Sequence, residues 1–260
     1  MDKTAKQVIS KKRVADHGEV FTARREVDAM LDLVKQETER IDSRFLEPAC
    51  GTGNFLIAIL ERKLAVIERK LIQLEKRLKK AEKRPGWKIP FYEPDSLLAL
   101  SSIYGIDILQ DSIDAAKSRL LAYFVENYQR IVGKEIPLAV VSAAEFILDK
   151  NILLGDAINT REKVTLPGVP GLDQIVFTEW SRIDNDFKRR EFRFDTMHLD
   201  GAVAENSSDA VCDDLFAAET PATHKVLTND SGKDIMKPIP VREYPLTHYS
   251  RLANGEHYAN

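Results

Sequence analysis

The segment Arg44-Phe45-Leu46-Glu47-Pro48-Ala49-Cys50-Gly51-Thr52-Gly53-Asn54-Phe55 constrains the fold more than any other stretch of the chain. A short apolar run reaches an acid, turns through small residues and opens into a helix-forming sequence. Pro48 has no N–H and ends strand pairing. Gly51 and Gly53 permit positive φ and let a ligand approach the backbone closely. A buried run ending in an acid recurs twice: Ile103-Tyr104-Gly105-Ile106-Asp107-Ile108, and Ile152-Leu153-Leu154-Gly155-Asp156, the latter with Phe146-Ile147-Leu148 read as part of the strand region. Between them, Asp111 to Tyr128 predicts a helix with Ile113, Ala116, Leu120, Tyr123 and Phe124 on its apolar face. Strand alternating with helix implies right-handed crossovers, hence an α/β fold with a doubly wound, mostly parallel sheet.

Two further helices are predicted upstream of the second strand. One spans Arg24 to Glu39, with Thr22 as its N-cap and Val27, Met30, Leu31 and Val34 on one face. The other carries a heptad seam of Leu60, Leu64, Ile67, Leu71, Leu74, Leu78 and Ala81 between charged residues, and Pro85-Gly86 is expected to stop it at Arg84. It forms a long charged insertion over residues 60–102, able to pack against Pro94 to Ser102 or against another chain. Its charged face reads first as solvated, and second as a nucleic-acid-binding arm. The division expected is a ligand-binding domain over 1–160 and a β-hairpin and loop-rich region over 161–260. There, Gln174 to Trp180 and Lys188 to Met197 are the hairpin strands, Asp184-Asn185-Asp186 the turn, and 198–235 loop.

Composition removes several function classes. With 38 Lys+Arg against 41 Asp+Glu the net charge is −3, which is not the footprint of a small autonomous nucleic-acid binder. Cys50 and Cys212 are the two cysteines, too few for a disulfide framework or a Cys-rich zinc site. The five histidines are scattered without ligand spacing, so no metal is expected. No apolar run approaches the roughly 20 residues of a membrane span, and the lysine-rich start lacks the apolar stretch of a signal peptide. The expectation is a soluble, cytoplasmic protein.

In an open α/β sheet, ligands bind beyond the carboxyl ends of the strands. Three such ends carry Glu47, Asp107 and Asp156. The glycine turn offers backbone N–H groups, an acid on the next strand can hold a ribose diol, and one on the third can meet an adenine amino group. The ligand is therefore adenosine-shaped. Gly51-Thr52-Gly53-Asn54-Phe55-Leu56 lacks the last glycine of a dinucleotide fingerprint, and no phosphate-binding loop of the Gly-Lys-Ser/Thr type occurs, which disfavours an NTPase.

Glu47-Pro48-Ala49-Cys50-Gly51-Thr52-Gly53 closely resembles the first S-adenosylmethionine motif of bacterial DNA adenine-N6 methyltransferases of restriction–modification systems. Gly18-Glu19-Val20-Phe21-Thr22, Tyr104-Gly105-Ile106-Asp107-Ile108 and Ile152-Leu153-Leu154-Gly155-Asp156-Ala157 resemble the flanking motifs in the order that family uses, over residues 17–159. The resemblance implies that Phe21 and Thr22 pack on the methionine moiety of S-adenosylmethionine, with Pro48, Ala49, Gly51 and Gly53 lining the turn beneath it. It also implies that Glu47 orients the amino end, Asp107 and Ile108 hold the ribose, and Asp156 and Ala157 meet the adenine. The family usually has Pro after Phe-Thr, where Ala23 stands here.

The departure concerns catalysis. The family's catalytic motif is Asn or Asp followed by Pro-Pro and an aromatic, which stacks on a base flipped from the duplex. This sequence holds no Pro-Pro dipeptide. Glu179 and Trp180 stand near the expected place as weak substitutes, and a packed Trp180 with a surface Glu179 is the simpler expectation. Lys188-Arg189-Arg190 with Arg193 offers a small basic cluster, read first as a solvated hairpin face. The resemblance implies a DNA adenine-N6 methyltransferase acting on double-stranded DNA. Two alternatives stand beside it: a cofactor-binding subunit completed by a partner chain that carries the catalytic motif or the target-recognition domain, and a non-catalytic scaffold with a degenerate methyltransferase fold.

Overall fold

The computed structural model describes residues 22–157, 175–194, 224–228 and 234–257. Three short strands, β1 (Phe45–Glu47), β2 (Ile103–Asp107) and β3 (Ile152–Leu154), form a parallel sheet in that order. Phe45 pairs with Ile103 and Glu47 with Gly105, while Gly105 pairs with Ile152 and Asp107 with Leu154. The acid-bearing ends therefore align at one edge of the sheet. Ile103 to Ile106 are all buried, as expected for a central strand covered on both faces. The Gly105 face lies against Cys50 and Leu56, so close that an added Cβ would come within 2.9 Å of both side chains. The opposite face carries Tyr104, packed edge-on against Phe177.

The helices correct the sequence reading in three places. The first is interrupted: α1 (Arg24–Leu33) and α2 (Lys35–Thr38) meet at Val34, which leaves helical geometry at φ −117°. Val27 and Leu31 are buried, whereas Met30 and Val34 face solvent, so no apolar contact holds the junction helical. Ala23, not Thr22, is the N-cap, and its N–H is satisfied by the Glu26 carboxylate at 3.1 Å. The charged helix, α3 (Asn54–Arg77), stops seven residues short of Arg84. Its seam is buried through Leu60, Leu64, Ile67 and Leu71, whereas Leu74 and Leu78 beyond them are only half-buried and the neighbouring Ile72 is exposed. Glu82 then takes the Lys79 N–H at 2.6 Å and closes a separate 3-10 turn over Lys80–Glu82. Finally, Phe146-Ile147-Leu148 lies in a helix, α6 (Leu138–Asn151), rather than a strand. A run of three apolar residues suits either state, and Val140, Ala143, Ala144 and Ile147 supply a helical buried stripe around it.

The remaining helices are α4 (Ile89–Ser101), which packs on α3, then α5 (Gln110–Val132) and α6 (Leu138–Asn151). A C-terminal hairpin forms from β4 (Val176–Ile183) and β5 (Asp186–Arg193), with strands that run closer to the turn than the sequence reading has them: Asp186 belongs to β5, and Asp184 turns the chain with φ +53°, while Gln174 and residues 195–197 lie outside the described residues. A second hairpin pairs β6 (His224–Thr228) with β7 (Asp234–Pro238), where the sequence reading has loop up to residue 235. Strands β8 (Arg242–Glu243) and β9 (Thr247–His248) add to β5, and a 3-10 segment (Tyr249–His257) follows. Residues 158–174, 195–223 and 229–233 lie outside the described residues. One hydrophobic core runs from the sheet into the hairpin through Phe177, Trp180, Phe187 and Phe194.

Buried polar groups stitch these parts together. Glu93 accepts from Tyr128 at 2.7 Å and from Tyr249 at 2.5 Å, joining α4, α5 and the final 3-10 segment. Lys63, a charged residue on α3, is fully buried. Its Nζ donates to the carbonyls of Arg40, Ile41 and Ser43 at 2.9, 3.2 and 2.6 Å, anchoring the loop that delivers β1. Burial pushes its ammonium down to about 7, with Asp42 acting in the opposite direction. Lys63→Met is expected to lower unfolding free energy by about 3 kcal/mol, because buried carbonyls lose their donor. Urea denaturation of the variant checks this, and an unchanged midpoint would show that the anchor is dispensable.

Candidate functional site

The candidate site lies at the carboxyl edge of the parallel sheet and is built around Asp107. Its Oδ2 accepts the Gly51 N–H at 2.8 Å and its Oδ1 accepts the Leu109 N–H at 2.9 Å. One carboxylate thus ties the turn after β1 to the turn after β2. The Asp107 carbonyl accepts from Gly155 N–H at 2.9 Å, bringing in the third tip beside Asp156, and Cys50 N–H donates to Ile106 at 2.9 Å. The turn needs its glycines: Gly51 has φ +51°, and Gly53, the N-cap of α3, has φ +84°. A Cβ on Gly53 would approach that of Ala116 to 3.2 Å, so the turn also lies tight against α5.

This arrangement corrects one expectation. The Gly51 N–H is taken by Asp107 and the Gly53 N–H by the Cys50 carbonyl at 2.9 Å. Those two amides hold the turn itself instead of facing a ligand. The glycines serve close approach and turn geometry.

Sequence-predicted residues divide into two groups. Glu47, Gly51, Gly53, Asp107, Gly155 and Asp156 gather at the strand tips, with Pro48, Ala49 and Ile108 on the exposed rim and Ala157 partly buried beside them. Burial raises the Glu47 carboxyl, while the Ala49 backbone opposes that shift. Thr22 joins this group through Asn54, whose Nδ2 donates to the Thr22 carbonyl at 3.3 Å. Phe21 lies outside the described residues.

Two contributors escaped sequence reading. Arg119 donates from Nη1 to the Thr52 carbonyl at 2.5 Å, to Thr52 Oγ1 at 3.0 Å and to Asn54 Oδ1 at 3.0 Å. Asn54 had a signal, since it follows Gly53 directly. Arg119 had none, because only the packing of α5 on the turn brings it there.

Glu179 and Trp180 lie at the opposite edge. Trp180 is 5% exposed, packs edge-on against Phe146, and donates its indole N–H to Asn151 Oδ1 at 2.9 Å. Asn151 in turn donates to the Ser101 and Ile103 carbonyls, at the amino ends of β2 and β3. Glu179 is ion-paired with Arg44 at 2.6 Å, just before β1, and with Arg190. Neither side chain reaches the strand tips, because hairpin β4–β5 docks at the amino ends of the sheet. The basic cluster is also committed: Arg189 is buried with its guanidinium over the Tyr244 ring, Lys188 pairs with Glu243 and Arg190 with Glu179. Among the described residues no group of His, Cys, Asp and Glu is placed to hold a metal, and no helix is long and apolar enough to cross a membrane.

A mixed α/β fold with a parallel sheet, acids at successive strand tips and a glycine turn between them is compatible with a methyltransferase-type domain. Residues 21–160 match the family model described as MmeI, DNA-methyltransferase domain, and the chain belongs to that restriction–modification methyltransferase family. Comparison with curated proteins and with solved structures gives no match.

Cys50 lies inside this motif yet is chemically quiet. Burial pushes its thiol from 9.0 up to about 12, and the charges of Asp107 and Glu47 push the same way. The native state keeps a proton that the unfolded state releases, so this group's contribution to stability is complete below pH 9 and is lost as pH rises through about 12. In a Cys212→Ser variant, thiol modification at pH 8 is expected to run about a thousandfold slower in native protein than in denaturant. Rapid native labelling, followed with a chromogenic disulfide reagent, would contradict the packing role.

Proposed function

We propose that this chain is an S-adenosylmethionine-dependent DNA adenine-N6 methyltransferase of the restriction–modification type. The observation that carries the reading is the convergence of Glu47, Asp107 and Asp156 on a glycine turn whose backbone is held by Asp107 itself. Family membership supports methyl transfer and a DNA substrate. In this reading the architecture is the doubly wound methyltransferase sheet with α3 and α4 as a charged helical insertion, and the protein works in the cytoplasm.

The residues fit the cofactor. Asp107 is pre-oriented by two backbone N–H groups, and its remaining lone pairs suit a vicinal diol. Asp156 and Ala157 would meet the adenine ring. Thr22, Glu47, Pro48, Ala49, Gly51 and Gly53 would hold the methionine end, where a carboxylate favours a cationic sulfonium. When bound, the cofactor supplies an activated methyl group for an exocyclic amino nitrogen. The chain's own part is then to bind and orient it, since the electrophile is already charged.

A second reading is favoured by one specific feature. Phe45 N–H bonds towards β2, to Ser102 at 2.9 Å, so by strand alternation the N–H and C=O of Leu46 face the other way. No strand among the described residues pairs with that outer edge, and Leu46 is 43% exposed. With no Pro-Pro motif in the sequence, this supports a cofactor-binding subunit whose catalytic half comes from a partner chain.

Titration with S-adenosylmethionine tests the common core of both readings. Saturable binding is expected, and Asp107→Ala is expected to weaken it by about 10- to 100-fold, the effect of losing charge-assisted hydrogen bonds. Absence of binding to a folded wild-type chain leaves the scaffold reading. Incorporation of labelled methyl groups into DNA by the lone chain rejects the split-subunit version.

A further inference from the structure

Among the described residues most arginines are paired with acids. Arg24, Arg25, Arg40, Arg44, Arg62, Arg69, Arg130, Arg182, Arg190 and Arg242 all lie within 4.0 Å of a carboxylate. The distal end of the helical insertion is different. Lys76, Arg77, Lys79, Lys80, Lys83 and Arg84 are all exposed, and the one acid among them is Glu82. Glu82 is occupied in capping the Lys79 N–H. None of the six cations makes an ion pair with a described residue. A concentrated positive field therefore stands on a chain whose net charge is −3.

The patch is also rigidly held. Leu78 turns the backbone out of α3 with ψ 139°, and a 3-10 turn follows over Lys80–Glu82. Trp87 is partly buried against the core, and Lys88 Nζ donates to the Ile131 carbonyl at 2.9 Å, fastening the return to the end of α5. Lys134 Nζ lies beside Gly86 and adds a seventh cation. Order before binding lowers the entropic cost of an interface. Leu78 and Trp87 beside these cations are half-buried, and among the described residues Ile72 is the one large apolar side chain exposed on the distal half of α3, less than the apolar stripe a membrane-surface helix requires.

We propose that this tip, Lys76 to Arg84 with Lys134, is a sequence-independent binding surface for the phosphate backbone of duplex DNA. It lies about 36 Å along α3 from the glycine turn, at about 1.5 Å per residue, a distance close to one turn of B-form DNA. The proposal rests on the reading of this protein as a DNA methyltransferase. Its contribution is salt-sensitive affinity and register on the duplex, not base selection.

Fluorescence anisotropy with a labelled duplex of about 30 base pairs and arbitrary sequence, long enough to span the tip, tests this as salt is varied. Lys80→Glu/Lys83→Glu is compared with Arg25→Glu/Lys35→Glu, which changes net charge equally at exposed sites elsewhere. The tip variant is expected to bind at least tenfold more weakly and to flatten the plot of log affinity against log salt by about two, while the control stays near wild type. Lys80→Gln/Lys83→Gln, which introduces no repulsion, should show a weaker effect in the same direction. Equal losses in tip and control variants would overturn the proposal by showing a net-charge effect. So would unchanged duplex affinity, or tip-dependent binding to anionic phospholipid vesicles or single-stranded RNA without tip-dependent duplex binding. S-adenosylmethionine titration of the same proteins separates the two ideas. Cofactor binding that survives while duplex binding ignores the tip sinks this inference alone, whereas tip-dependent duplex binding without cofactor binding sinks the methyltransferase reading alone.

Discussion

The bridge made by the Asp107 carboxylate is the contact on which the rest of the candidate site depends. A single side chain accepts backbone N–H groups from Gly51 and Leu109, so the turns after β1 and β2 are placed relative to each other by two charge-assisted hydrogen bonds. Gly155 N–H on the Asp107 carbonyl draws the third tip into the same frame. Strands of three, five and three residues carry few ladder hydrogen bonds of their own. The alignment of three acids at one edge therefore owes as much to this bridge and to close packing at Gly53 and Gly105 as to sheet pairing.

The second organising constraint is that the two edges of the sheet have been given different partners. At the carboxyl edge stand turns, glycines and acids. At the amino edge, Asn151 spans the Ser101 and Ile103 carbonyls and receives Trp180, while Tyr104 donates to the Thr178 carbonyl at 2.8 Å. These buried, directional bonds hold the β4–β5 hairpin away from the strand tips. A residue within reach along the sequence is thereby kept out of reach in space.

Buried charge shows the same logic inside the core. Lys63 and Glu93 are fully or nearly fully buried, yet each meets several partners: three carbonyls for the amine, two phenols for the carboxylate. Such groups are tolerated only when their hydrogen bonds are complete. They join segments far apart in the chain, the loop before β1 to α3 in one case, and α4 to the final 3-10 segment in the other.

Much of the fold was legible in the residues themselves. The strand–turn–helix unit at Phe45 to Asn54, the acids closing β2 and β3, the apolar stripe of α5 and the β4–β5 hairpin follow from local pattern, because apolar spacing and turn chemistry act over a few residues. Three features did not follow. Phe146 to Leu148 fell in a helix, α3 ended where its seam ran out of cover, and Lys63 turned inward. In each case the deciding term was burial against a distant segment, an energy no local pattern contains. The sequence alone determined which residue types stand at the strand tips, because proline and glycine restrict the backbone wherever they occur. Only the tertiary structure decided which side chains share those tips, because hydrogen bonds such as Asp107 to Gly51 and Arg119 to Thr52 exist only once separate elements have packed.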